Sequence, residues 1–108
     1  MIALVVAFGM MGAAAQAPAA PAMSRQNFGN CLNKQVQDKV GDKLAEDAFK
    51  AAAKAACASQ ESAFRTAWVN YEVGMKTKRA EAEQNANSQI DDYFQNAVDN
   101  YKDWTAPK

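Results

Sequence analysis

Two cysteines, Cys31 and Cys57, stand 26 residues apart in a chain otherwise patterned for helices, and they constrain its fold more than any other feature. Between Ser24 and Trp104 there is no proline, and the only glycines are Gly29, Gly41 and Gly74. No alternating pattern is sustained there, so the helical period governs. Phe28, Leu32, Val36 and Val40 recur every four residues and predict a first helix over about 24–40, with Ser24 as its N-cap and Gly41 as its stop. A second helix, over about 45–58, would bury Phe49, Ala52, Ala53, Ala56 and Cys57. Leu44 lies thirteen residues from each cysteine. An antiparallel hairpin sets equidistant residues side by side, so the spacing predicts a Cys31–Cys57 disulfide. Closing that loop contributes roughly 3 to 4 kcal/mol on the chain-entropy view, comparable to the core of so small a domain.

The compartment follows from the same pair read with the N-terminus. Residues 2 to 15 carry no charge and run into small residues, in the manner of a secretory signal cut after Ala15 or Ala22. Gln16, Pro18 and Pro21 interrupt the apolar run well short of the roughly 20 residues a membrane span needs. The expectation is therefore a signal peptide and Ala/Pro linker over 1–22, one helical domain over 23–104 and a disordered tail over 105–108. Export to the periplasm or beyond, with no stable membrane anchor after cleavage, suits a disulfide.

Beyond the hairpin, one stripe runs through Phe64, Trp68, Tyr71, Met75, Arg79, Ala82, Ala86, Ile90, Tyr93, Ala97, Tyr101 and Trp104. Its mean step of about 3.6 residues is that of a straight α-helix. The fold class is accordingly all-α: a disulfide-linked hairpin followed by a long third helix over about 59–104. Unbroken, that helix would reach near 65 Å against about 25 Å for the hairpin, leaving its aromatic end without an internal partner. A bend or break near Gly74 or at Asn85–Ser88 would give a fourth helix. Ser88 and Asp91 have capping-box spacing at the second of these places.

The absence of histidine removes catalytic triads, imidazole proton shuttles and His-ligated metals. Two thiols at this spacing make a poor zinc site, so no metal or cofactor is expected. Twelve basic and twelve acidic residues cancel, which gives nucleic acid no electrostatic footing. The signs are uneven along the chain: residues 25–79 carry +4 and the remainder −4, which favours folding back or head-to-tail association. The basic run Lys76-Thr77-Lys78-Arg79 has Glu72, Glu81 and Glu83 within helical reach and reads as a solvated face. Asp38 with Asp42, and Asp99 with Asp103, share faces at i,i+4, but nothing in the pattern surrounds them to raise a carboxyl for acid–base work.

What remains is recognition. Trp68, Tyr71, Tyr93, Phe94, Tyr101 and Trp104 form the candidate interaction surface, although aromatics at helical spacing serve the core more often than a ligand. The expected function is a small exported helical binding protein without catalytic activity, meeting a protein partner or a second copy of itself. A periplasmic chaperone-like or envelope-stress role is the alternative, and a carboxylate-based enzyme comes last.

Overall fold

The computed structural model describes residues 21–106. The leader, its cut after Ala15 and the end of the tail at Pro107–Lys108 lie outside the described residues. Four helices make up the rest: α1 (Ala22–Lys39), α2 (Glu46–Ala56), α3 (Ala58–Gly74) and α4 (Arg79–Thr105), with a short 3-10 turn at Val40–Asp42. No strand occurs among the described residues, and no helix there is long and apolar enough to cross a membrane.

Helix α1 starts at Ala22, with Pro21 rather than Ser24 as its N-cap. The Pro21 carbonyl accepts the Arg25 N–H at 2.9 Å, and a proline lends itself to a helix start because its φ is already fixed near the helical value. At the other end the stop is not Gly41, which lies inside the 3-10 turn. Lys43, with φ 48°, takes the left-handed conformation instead. Helices α1 and α2 then run antiparallel, and the Cys31–Cys57 disulfide closes between them with the Cα atoms 5.9 Å apart, well within the range a relaxed bridge requires. Cys57 is also the hinge. It is the single residue between α2 and α3, donating its N–H to the Ala53 carbonyl and accepting from Glu61 N–H, both at 2.9 Å.

The long third helix breaks once, after Gly74. Lys76 takes φ 76°, its N–H bonds the Val73 carbonyl at 3.0 Å, and the Thr77 N–H reaches back to the Glu72 carbonyl at 2.9 Å. This is the Schellman arrangement, with lysine at the position glycine usually fills. Asn85–Ser88 is not a break: α4 passes through it without interruption, and Ser88 caps nothing because its neighbours' N–H groups are already used within the helix. Thr105, expected in the tail, is the last residue of α4, its hydroxyl donating to the Tyr101 carbonyl at 2.9 Å.

The turn at 75–78 supplies the partner that a straight helix would have lacked. Helix α4 returns antiparallel to both α3 and α2, so that Tyr93 stacks on Phe64 (5.6 Å between ring centroids) and Tyr101 on Phe49 (4.2 Å). Helix α1 lies parallel to α4, with Phe28 at the centre of the rings of Phe64, Tyr93 and Phe94 at 5.4 to 5.9 Å. The main core is Phe28, Leu32 and Val36 of α1, Phe49 and Ala53 of α2, Cys57, Phe64 of α3, and Ile90, Phe94, Ala97, Val98 and Tyr101 of α4. A second, smaller cluster of Val69, Ala82 and Ala86 joins α3 to α4 beyond the reach of α1, with Trp68 touching both.

Candidate functional site

The structure divides the six candidate surface residues. Phe94 and Tyr101 are in the core, each 1% exposed, and are not available to a partner. Their burial has a geometric cause: once α4 doubles back, the face that a continuous helix would have left bare is pressed against α1 and α2. Trp68, Tyr71 and Tyr93 are half-buried. Trp68 has the Arg25 guanidinium 6.0 Å from its ring centroid, and its indole N–H has no hydrogen-bond partner. Trp104 alone stands out, 58% exposed on the last turn of α4.

Two of the six, Tyr93 and Trp104, border the same feature, a groove between the parallel helices α1 and α4. Its upper part, about 180 Å³, is lined by Arg25, Gly29, Leu32, Asn33, Tyr93, Asn96, Ala97 and Asn100. Its lower part, about 250 Å³, shares Asn33 and Asn100 and adds Val36, Gln37 and Trp104. The two helices position these groups by the same four-residue step: Arg25, Gly29, Asn33 and Gln37 follow one ridge of α1, and Asn96, Asn100 and Trp104 follow one ridge of α4. Gly29, Leu32 and Ala97 form a low floor, and the carboxamides form the walls. None of the Asn33, Gln37, Asn96 or Asn100 side chains hydrogen-bonds another protein group among the described residues. Of the residues lining the groove only Arg25 carries charge.

A second cleft, between α3 and α4, contains Arg65, Arg79 and Glu83. Arg65 is already engaged there, bonded to Glu61 at 3.0 Å and to Asn87 at 2.9 Å. No group of three potential metal ligands occurs among the described residues. The same-face acids Asp38, Asp42, Asp99 and Asp103 are exposed; Asp38 pairs with Lys34 at 3.0 Å, and Asp99 accepts from Gln95 at 3.0 Å. The groove can therefore hold a molecule by hydrogen bonds and ring contact.

The helical pattern of the sequence marks the rings but not the amides. The signal was present as Asn33 with Gln37 and Asn96 with Asn100, each pair four residues apart on an outward face, but amides at that spacing are common on solvated helices. What joins them into a site is the parallel packing of α1 on α4, a long-range fact.

These features define a class, a disulfide-stapled all-α bundle with an amide-lined groove between α1 and α4. Comparison with family models, with curated proteins and with solved structures returned no match.

Proposed function

We propose that this chain is an exported helical binding module, acting without catalysis, that receives its partner in the α1–α4 groove in the periplasm or outside the cell. The observation that carries this reading is Trp104: a bare indole at the mouth of a groove whose carboxamides have no partners within the fold. An exposed tryptophan beside solvent-facing amides with no partner in the fold gives a ligand both apolar area and directional bonds. Export is supported by the uncharged leader and by the disulfide, since such bridges persist outside the reducing cytosol. The other exposed large hydrophobics are Met23, in the first turn of α1, and Met75, just past the end of α3. That scatter favours a single narrow contact over the broad apolar face of a chaperone.

A photo-crosslinking residue placed at Asn100, in cells exporting the protein, tests the proposal against the same residue placed at Glu83 in the α3–α4 cleft. The expected result is an adduct from the Asn100 position and none from Glu83. Equal capture from both, or none from Asn100, overturns the reading.

A further inference from the structure

We infer that the α1–α4 groove takes a neutral linear oligosaccharide, and that Gly29 is left without a side chain so that a sugar ring can lie against helix α1; this rests on the groove being the binding site. Glycine is among the poorest helix formers, and Gly29 sits in the middle of α1. Such a residue is usually explained by a close neighbour, yet a Cβ built at Gly29 would meet nothing within 4 Å. No described residue fills that space. It opens into the groove, of which Gly29 is floor. The absence of a Cβ leaves the α1 backbone approachable at this point of the groove.

The lining identifies what approaches. Asn33, Asn96 and Asn100 each present a donor and an acceptor together, the pattern that neighbouring hydroxyls of a sugar match, and none carries a charge that would select an ion. Trp104 at one end offers a ring face to the apolar C–H side of a sugar. From Arg25 to Gln37 the α1 ridge extends about 18 Å at 1.5 Å per residue, long enough for several rings in a row. A helical peptide would need a continuous apolar groove and a β-strand peptide a free sheet edge, neither of which is present among the described residues, and a proline-rich peptide would need closely set rings, whereas Tyr93 and Trp104 stand eleven residues, about 16 Å, apart along α4. A nucleic acid strand would need cations along its whole track, whereas Arg25 stands alone at one end.

The test is an NMR titration of the disulfide-intact chain with chitotetraose, cellotetraose and maltotetraose, and with an unrelated tetrapeptide as control. With at least one of these sugars, shifts are expected at Gly29 and at the side-chain amides of Asn33, Asn96 and Asn100, and none with the peptide. Gly29→Ala should raise the Tm by about 4–8 °C through helix propensity while weakening sugar affinity several-fold. Gly29→Leu should abolish binding with the Tm at or above that of the parent. Sugar binding that survives Gly29→Leu overturns the inference, as does silence with all three sugars. If that silence accompanies a specific Asn100 crosslink, the saccharide falls and the binding module stands; if Asn100 captures nothing either, both fall.

Discussion

The phenol of Tyr101 serves both ends of the connection between α1 and α2. It donates to the Lys39 carbonyl at 2.6 Å and accepts the Leu44 N–H at 2.9 Å, while its ring stacks on Phe49. Tyr101→Phe keeps the stack and leaves a partly buried carbonyl and N–H unpaired, an expected loss of about 1–3 kcal/mol. Thermal unfolding checks it, and an unchanged Tm would show that water replaces both bonds without loss. The sequence marked Tyr101 for its ring, but its hydroxyl could not be read because the bonds span 57 and 62 residues. Nor could the period separate Tyr101 from Trp104. Three residues leave them roughly 60° apart around the helix, and that angle is the difference between 1% and 58% exposure. A stripe identifies its centre line; its edges are set by whichever helix packs against it.

Among the elements, the hairpin was legible because its information is local: two apolar stripes, one turn and two cysteines equidistant from Leu44. Replacing both cysteines with alanine removes a constraint worth about 3.5 kcal/mol in the unfolded chain for a loop of this length. Denaturant titration should show it as a lower midpoint, and an unmoved midpoint would mean that the bridge adds nothing the packed hairpin lacks. The break in the third helix was harder to place, since α3 and α4 share one stripe phase and a period carries no record of a reversal. Asn85–Ser88 offered cap chemistry and Gly74 offered only a poor helix former, yet Lys76 turns the chain. A left-handed lysine is strained by about 1–2 kcal/mol relative to glycine, partly offset by glycine's greater unfolded-state entropy. Lys76→Gly should therefore stabilise by roughly 0.5–1 kcal/mol, readable as a raised Tm; a lowered one would mean that the lysine side chain contributes more than the strain removes. At the opposite end of α4, Lys102 lies 2.9 Å from Glu46 in the first turn of α2. The hydrogen bond that the Lys102 ammonium donates to Glu46, and then the charge of Glu46, hold that ammonium above the ordinary value of 10.5. A raised lysine contributes fully below 10.5 and loses that contribution as pH climbs through its folded value. NMR of the Lys102 side chain should show the late titration, and Glu46→Gln should remove most of it, leaving the smaller influence of Asp99 and Asp103.

The molecule as a whole has two ends of unequal strength. The half-and-half charge division anticipated a tail that folds back, and α4 does fold back, but not through that attraction: the one ion pair between helices among the described residues takes its cation from the tail, Lys102, and its acid from Glu46. Burial drives the return, and it is concentrated where all four helices contribute to the main core. There five aromatic rings, Phe28, Phe49, Phe64, Phe94 and Tyr101, are fully buried and the disulfide ties α1 to the α2–α3 hinge. Toward the 75–78 turn, beyond the start of α1, the buried residues joining α3 to α4 among the described ones are Val69, Ala82 and Ala86, flanked by the partly buried Trp68 and Val73 and braced by Asn85 donating to Glu72 at 2.9 Å and by Arg65 with Asn87. Alanine contacts bury little area, so this end should open locally at a free energy below that of global unfolding. Hydrogen exchange should find the amides of Val69, Ala82 and Ala86 exchanging well before those of Leu32, Phe94 and Val98. Reduction of the disulfide sharpens the test, because the bridge closes a loop that ends at Cys57 and does not contain the turn. Reductant should then lower protection at Leu32 and Phe94 while leaving Ala82 and Ala86 unchanged so long as their local opening remains the easier route. If protection falls uniformly across α4 instead, the helix opens as one unit and the two clusters are a single cooperative core.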